Sequence, residues 1–354
     1  MRLDPAGTSQ PTRSGRPRAA RCALVAASGL AVALVAGCGS SSSPGGAVGG
    51  PVTIAVVNDV NDAPIYLAQK DGLFKAEGLN DVVIKPYATA SDELSAVESA
   101  QADIAGADYG NIFYQQTQSN NLKILADGYD ATQGVLEILT LPHSTLQPQD
   151  LTNQGITVGL PDNDLLPLPK GSDAPPSLDA AAATEVLETY LESAAQNISW
   201  RALPQQKEIS ELADGQVQAI LVGEPYIYEA ESKYGAVEVM DACSGSTANL
   251  PLSGYVSTSA WAKDNPAAVA DFQAALAKAQ ADASMTGVIQ RVLPTAAHMD
   301  AEDADLSTIG TYPTNTSTQG LNRVLNLLNN DFPGLLPQGA PIPRVGQMLV
   351  TSTK

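Results

Sequence analysis

The chain has 354 residues, with 38 acidic and 19 basic side chains, two histidines and three cysteines. The formal charge of −19 excludes nucleic-acid binding through bulk electrostatics, because neutralising phosphates requires a basic surface. So few histidines and cysteines exclude a structural zinc set with the usual spacing, and also a disulfide framework. The length exceeds what one hydrophobic core normally supports, which predicts two domains.

Residues 1–37 have the layout of an export signal. Five of the nine arginines lie in the first 21 residues, and the 16 residues that follow them, Cys22 to Gly37, carry no charge. As a helix this apolar stretch would span about 24 Å, which is short of the roughly 30 Å hydrocarbon core of a membrane. We therefore expect a signal peptide over 1–37 and not a permanent membrane helix.

The end of this stretch predicts a lipid anchor. Leu34-Val-Ala-Gly-Cys38 resembles the bacterial lipobox, in which the cysteine thiol is acylated, and a Gly/Ser-rich tether covers 38–50. Attachment of two or more acyl chains at Cys38 would hold the protein on the outer face of the cell membrane. The alternative is a chance cysteine among small residues. Loss of 1–37 removes five basic and one acidic residue and leaves a net charge of −23.

From Pro51 onward, short β-branched runs alternate with helical patterns. We predict strands at 52–57, 82–84, 103–107 and 122–126, with helices at 63–75, 91–100 and 110–118. This alternation is typical of an α/β domain with a mostly parallel sheet.

A second unit with the same alternation begins near Gly155. Its predicted strands are 156–160, 198–203 and 217–222, and its predicted helices are 180–191, 208–213 and 225–234. After an extended segment at 250–258, the chain becomes mainly helical, with Asn265 as an N-cap and another helix at 318–328. These C-terminal helices have no sheet of their own, so they must pack on one of the two earlier units.

Four segments, in chain order, resemble the solute-binding proteins of nitrate, taurine, sulfonate and thiamine-precursor importers. They are Asp62–Leu79, Ala100–Gly110, Asp150–Gly159 and Asp214–Tyr226. The resemblance implies a type II periplasmic-binding-protein fold, an α/β architecture with two Rossmann-like lobes of mixed sheets. It implies two crossover strands, near Leu136–Pro142 and Pro251–Val256. Lobe 1 would comprise 51–141 plus 251–354, and lobe 2 would comprise 142–250.

The resemblance also implies a function. It predicts a lipid-anchored, extracytoplasmic component of an ABC importer, which captures a small organic solute and delivers it to a permease and its ATPase. We expect a monomer with no cofactor and no metal. We also expect no enzymatic activity, because the histidines and Cys243 lie in no catalytic motif. The alternatives are a solute sensor or adhesion lipoprotein and, less favoured, a lyase or pyrimidine-synthase-like enzyme on the same fold.

Candidate ligand-binding residues lie in the loops that follow strands, where open α/β sheets bind ligands. They are Asn58, Asp59, Asp108, Tyr109, Asn111, Asp162, Ser177, Glu224 and Tyr226. Asn61 or Asp62 is interpreted as a helix cap, and Asp108 as a turn residue or Tyr226 as a core aromatic remain alternatives. No arginine lies in these loops, so a bidentate arginine clamp for a sulfonate or phosphate is not visible. This favours an amine-bearing or neutral heteroaromatic solute, such as a zwitterion or pyrimidine, over nitrate, and the predicted solute is amine-containing, sulfonate-like or pyrimidine-type.

One loop departs from the family pattern. Residues 161–177 carry five prolines between a strand and its helix, where relatives turn directly into the helix. The loop is either a lid over the cleft or a surface insertion. It also leaves open whether Ser177 or Asp179 caps the helix that follows.

Overall fold

The computed structural model describes residues 50–191 and 198–350. The predicted signal peptide, Cys38 and the tether up to Gly49 lie outside these residues. Within the described part, no helix is both long and apolar enough to cross a membrane.

The first sheet has five strands in the order β2-β1-β3-β10-β4. Its strands are β1 (Val52–Val56), β2 (Val82–Pro86), β3 (Ile104–Asp108), β4 (Leu122–Asp130) and β10 (Pro251–Thr258). β1 pairs in parallel with β2 and β3, whereas β10 runs antiparallel to β3 and β4. β1, an interior strand of this sheet, is mostly apolar and almost wholly buried, as expected for a strand covered on both faces.

Four helices connect the strands of this sheet before β10. They are α1 (Ala63–Lys70), α2 (Leu73–Glu77), α3 (Ala90–Glu98) and α4 (Tyr109–Ser119). The single helix predicted over 63–75 is divided at Gly72, whose φ of +70° lies in the left-handed region that glycine adopts without strain.

The second sheet also has five strands, in the order β7-β6-β8-β5-β9. Its strands are β5 (Leu136–Thr140), β6 (Val158–Pro161), β7 (Trp200–Leu203), β8 (Ala219–Gly223) and β9 (Val237–Asp241). Three helices accompany them: α5 (Leu178–Leu191), α6 (Glu208–Ala213) and α7 (Tyr226–Tyr234). β6 is parallel to β7 and β8, whereas β5 is antiparallel to β8 and β9, so this sheet is mixed as well.

Several of the C-terminal helices pack on the first sheet and its helices. The series is α8 (Ser259–Asp264), α9 (Pro266–Ala283), α10 (Thr286–Ile289), α11 (Leu293–Ala296), α12 (Ala301–Leu306), α13 (Thr318–Asn326) and α14 (Val345–Met348). Phe272 of α9 stacks on Phe74 of α2 with ring centroids 6.2 Å apart, and meets Tyr255 of β10 edge-on at 5.7 Å. Asn265 stands at the N-cap position of α9, as predicted, but its side chain accepts no hydrogen bond from the first turn, and its Nδ2 donates to the carbonyl of Trp261 at 3.0 Å.

The chain passes between the two sheets through 131–135 and 242–250. The segments predicted as crossovers, near Leu136–Pro142 and Pro251–Val256, instead contain β5, which pairs within the second sheet, and β10, which pairs within the first. Leu136 is already in register with Gly223 of β8, which places β5 in the second sheet and not in lobe 1 as predicted. The fold class, two mixed α/β sheets, is confirmed, whereas the full extents of the lobes stay a prediction.

Candidate functional site

A cavity of about 70 Å³ lies among the loops that follow strands of both sheets. Five acidic side chains line it: Asp59 and Asp108 after β1 and β3, Asp164 and Asp179 after β6, and Glu224 after β8. The same lining contains no lysine, arginine or histidine. This position corresponds to the carboxyl ends of strands, where ligands bind in open α/β sheets.

Asp59 and Asp108, which we call the first wall, are held by amides of their own loops. The Asp59 carboxylate accepts from the backbone N–H of Asn61 at 2.8 Å and from its side-chain Nδ2 at 3.2 Å. Asp108 accepts from the backbone N–H and side-chain Nδ2 of Asn111 at 2.9 and 2.8 Å. Asp108 is therefore the N-cap of α4, because its carboxylate satisfies a free N–H of the first turn.

Asp62 occupies the N-cap position of α1, as one of the two interpretations had it, but neither Asn61 nor Asp62 makes a capping hydrogen bond to that helix. Asp59 provides the side-chain cap, for the 3₁₀ turn that precedes α1. The side chain of Asp62 is buried.

Asn163, Asp164 and Asp179, which we call the second wall, line the cavity from the loop after β6 and from the first turn of α5. Within the described ranges, the carboxylates of Asp164 and Asp179 accept no hydrogen bond. The side-chain oxygen of Asn163 is also without a donor, although this residue is only 8% exposed. The second wall thus presents five oxygen acceptors, on three side chains, that the described protein does not satisfy.

The electrostatics of the cavity favour protonated carboxyls when no cation is present. Burial raises the pKa of Asp59 to about 7 and that of Asp108 to about 6, although hydrogen bonds oppose both increases. Burial, with added repulsion from Asp108 and Asp59, raises the pKa of Asp179 to about 7. The pKa of Asp164 lies well above its usual range for the same reasons.

Two further acidic side chains stand behind the first wall. Asp62 is 4% exposed and Glu93, in the first turn of α3, is fully buried. Burial and mutual repulsion raise the pKa of both well above the usual range. Neither oxygen of Glu93 has a hydrogen-bond partner among the residues that the structure describes.

Glu224 lines the cavity, but both of its carboxylate oxygens are already engaged. One accepts from the backbone N–H of Tyr228 in α7 at 3.1 Å, and the other accepts from the N–H of Thr308 at 2.9 Å. Glu224 therefore ties the second sheet to the segment between α12 and α13. It precedes a cis peptide bond to Pro225.

Three predicted site residues have side chains that are engaged elsewhere. The hydroxyl of Tyr109 donates to Asp127 inside the first lobe. Ser177 is buried and its Oγ accepts from the N–H of Ala180 at 3.1 Å, so Ser177 and not Asp179 caps α5. Tyr226 packs against the small hydrophobic cluster of the second sheet, as the core alternative anticipated.

The other predicted residues lie beside the cavity. Asn58 and Asp162 line a neighbouring depression, together with His298, whose Nε2 lies 2.7 Å from the Asn58 side-chain nitrogen. Asn111 holds Asp108, and its Nδ2 also donates to the backbone oxygen of Asp164 at 3.0 Å. Of the predicted residues, Asp59, Asp108 and Glu224 line the cavity, with Asn111 directly behind them.

Sequence reasoning missed Asp164 and interpreted Asp179 only as a cap candidate. The signal for Asp164 was present, because it lies two residues from Asp162 in the same loop, but the five prolines hid the path of the chain. Asp162 is exposed, whereas Asn163 is buried.

The proline-rich loop 161–177 contacts the first lobe. Three hydrogen bonds to backbone oxygens of the loop join it there. The N–H of Ala90 donates to Asn163 (3.1 Å), Nδ2 of Asn111 donates to Asp164 (3.0 Å), and the hydroxyl of Tyr114 donates to Pro167 (3.1 Å). Leu166 within the loop is buried. The loop therefore bridges both sides of the cavity, and its role as a lid stays a prediction.

Residues 59–164 match the family model described as NMT1/THI5 like. This match confirms the predicted resemblance over the region that contains the first wall and part of the second. No curated protein matches the chain at a significant level. Across 50–191 and 198–350, no group of three or more histidine, cysteine or acidic side chains is arranged to hold a metal ion.

Solved structures of binding proteins share the fold. The alkanesulfonate-binding protein SsuA from Xanthomonas axonopodis pv. citri, bound to MOPS, superposes with a TM-score of 0.66 at 14% identity, over 87% of this chain and 99% of that one. The aliphatic sulphonate-binding protein SsuA from Escherichia coli gives 0.62 at 16%, over 86% and 97%. The nitrate-binding protein NrtA from Synechocystis PCC 6803 gives 0.62 at 13%, over 82% and 83%. The chain thus combines an NMT1/THI5-like region with the two-lobed fold of periplasmic solute-binding proteins.

Proposed function

We propose that this protein is the extracytoplasmic solute-binding component of an ABC importer, which captures a small organic molecule between its two lobes. One observation carries the proposal: loops from both sheets line a single polar cavity at the ends of their strands. A solute held there touches both lobes at once. The fold shared with sulfonate- and nitrate-binding proteins supports the same interpretation.

The proposed mechanism is conformational. A solute that contacts both lobes binds the closed arrangement more tightly than the open one, and this difference in affinity shifts the population toward closure. The hydrogen bonds from Ala90, Asn111 and Tyr114 to the loop 161–177 add to the closed arrangement. The closed protein then docks on a permease, and ATP hydrolysis elsewhere drives transport.

We propose further that the protein is exported and acts as a monomer anchored through an acylated Cys38, with the segment that follows as a tether. The support comes from the basic segment, the apolar stretch and the lipobox-like Val-Ala-Gly-Cys in the sequence. Two or more acyl chains at one cysteine give stable anchoring, whereas a single chain does not.

Binding without catalysis fits the one cysteine in the described part. Cys243 is buried, and burial together with the nearby Asp241 raises the pKa of its thiol far above the usual range. A neutral, buried thiol is a poor nucleophile. Cys243 also does not line the cavity, so it does not provide the reactive centre that a pyrimidine-synthase-like enzyme would need.

Native mass spectrometry tests the proposal. The full chain, produced in a bacterium that processes lipoproteins and purified in detergent, is incubated with the small-molecule fraction of a bacterial extract. We expect one small molecule per chain and a chain mass that begins at an acylated Cys38. Asp164→Arg, which places a long cationic side chain in the cavity, should abolish the added mass.

Asp173→Arg is the matched control, because Asp173 lies in the same loop but is exposed and does not line the cavity. It should leave the added mass intact. An unchanged mass for the original chain after incubation would contradict solute binding. An unacylated chain that retains residues 1–37 would contradict the anchor alone.

A further inference from the structure

The second wall combines a buried amide, Asn163, with two half-buried carboxylates of like charge, and the described residues donate to none of the three side chains. Asn163, Asp164 and Asp179 all line the cavity. A buried acceptor without a donor is destabilising unless water or a ligand satisfies it. The wall therefore lacks hydrogen-bond donors, and a ligand that brings them would complete it.

The first wall is less in need of a ligand, because each of its carboxylate oxygens already accepts one hydrogen bond. Asn61 and Asn111 already donate to Asp59 and Asp108 from both backbone and side chain. The first wall nevertheless contributes negative charge on the opposite side of the cavity. A ligand there therefore has carboxyl groups on both sides.

Charge selects the ligand class. A sulfonate or phosphate would meet five acidic side chains and no arginine, lysine or histidine in the lining. Such an anion would need the basic fork that other sites use for it. An ammonium group supplies three N–H donors and one positive charge, and it has no acceptor of its own.

Size limits the part of the ligand that enters. A volume of about 70 Å³ corresponds to roughly two water molecules, at about 30 Å³ each. This holds an ammonium group with one or two carbons. The rest of a longer molecule would extend between the lobes.

We propose that the solute is a small organic cation whose ammonium group donates hydrogen bonds to Asn163, Asp164 and Asp179. This rests on the proposed function, because it names the class of solute that the importer component captures. The raised pKa values of Asp164 and Asp179 agree with it, since a bound cation supplies the positive charge that their half-buried carboxylates lack.

Isothermal titration calorimetry with the full chain at pH 8 tests this inference. The probes are a series from methylammonium to butane-1,4-diammonium chloride, with ethanol as the neutral control, ethanesulfonate as the anion and magnesium chloride as the metal control. We expect saturable binding of at least one ammonium probe and none of the controls. Asp164→Asn and Asp179→Asn should each weaken that binding about tenfold or more, because each removes a charge-assisted hydrogen bond.

The matched control is Asp173→Asn, in the same loop but outside the cavity, which should bind like the original chain. Unfolding midpoints of all variants show whether a loss of binding reflects a loss of folding. The inference is overturned if no ammonium probe binds, if both second-wall variants bind unchanged, or if ethanesulfonate or magnesium binds in place of ammonium.

The two proposals fail in different ways. A captured solute that carries no positive charge, or binding of ethanesulfonate alone, overturns the cation and leaves solute binding intact. The absence of any captured molecule from the cell extract overturns the proposed function itself.

Discussion

Both walls of the cavity carry aspartate carboxylates, but only those of the first wall accept hydrogen bonds from the described protein. Asp59 and Asp108 accept N–H bonds from the asparagines of their own loops, and so act as caps that fix the strand-to-helix turns. Asp164 and Asp179 accept none from the described residues. A carboxylate that already has its donors contributes structure and electric field, whereas one without them remains available to a ligand. The comparison therefore assigns ligand binding to the second wall.

The largest expected effect is on the pH dependence of stability. Asp59, Asp108 and Asp179 have folded-state pKa values of about 6 to 7, above the unfolded value of about 4, and burial raises the pKa of Asp164 well above its usual range. The folded state therefore binds more protons than the unfolded state, and its stability is greatest at acid pH and falls as pH rises through 6–7. We expect the solute-free protein to be more stable at pH 5 than at pH 8, by on the order of 1–3 kcal/mol for each such carboxyl.

Several carboxyl groups around the cavity and behind it contribute to this profile. They are Asp59, Asp62, Glu93, Asp108, Asp164, Asp179 and Glu224. Burial raises the pKa of Tyr66, Tyr129, Tyr255 and Tyr312 above their ordinary value, so these tyrosines stay neutral from pH 5 to pH 8. Urea unfolding at a series of pH values measures the sum of the carboxyl contributions. Asp179→Asn should flatten the profile and raise stability at pH 8, whereas Asp173→Asn should leave it unchanged. A profile that rises steadily from pH 5 to pH 8 would contradict the account of both walls.

We expect a smaller effect on stability when Glu224 is replaced. This residue follows a strand of the second sheet, but its carboxylate accepts hydrogen bonds, as the carboxylates of the first wall do. Glu224→Ala leaves the N–H groups of Tyr228 and Thr308 without their acceptor, at a cost of about 1–3 kcal/mol in the free energy of unfolding. Urea unfolding at pH 8 measures this cost. Glu231→Ala on the exposed face of α7 is the control and should change stability by less than about 0.5 kcal/mol.

An equal effect of the two α7-region variants would show that the contacts of Glu224 contribute nothing. It would also weaken the distinction between satisfied and unsatisfied carboxylates. A large loss for Glu224→Ala combined with a gain for Asp179→Asn would sharpen that distinction, because the same chemical group would then stabilise in one setting and destabilise in the other.

Much of the fold could be predicted from the sequence because local patterns determine it. The apolar run Val52–Val56, the helix Glu208–Ala213 and the strand-to-helix turn at Asp108 all follow from hydrophobic periodicity and capping chemistry. β9 could not be predicted, since Val237-Glu-Val-Met-Asp carries an exposed valine and a glutamate at the edge of its sheet. Its strand character comes from pairing with β5, which is a tertiary contact.

The candidate site was less predictable than the fold. Asp59, Asp108 and Glu224 could be predicted as cavity residues because each follows a strand, and the order of the strands in the chain determines which loops meet at their ends. It could not tell that the hydroxyl of Tyr109 turns inward to Asp127. Nor could it show that the proline-rich loop returns over the cavity and brings Asp164 and Asp179 to its second wall.

A crystal structure of the full chain with an ammonium probe would show which of the two walls binds the ligand. We expect the probe nitrogen to lie in the cavity, within about 3 Å of oxygens of Asn163, Asp164 and Asp179. Asp59 and Asp108 should keep their bonds to Asn61 and Asn111. A probe bound to Asp59 and Asp108 in place of those asparagines, or bound outside the cavity, would contradict the division between the two walls.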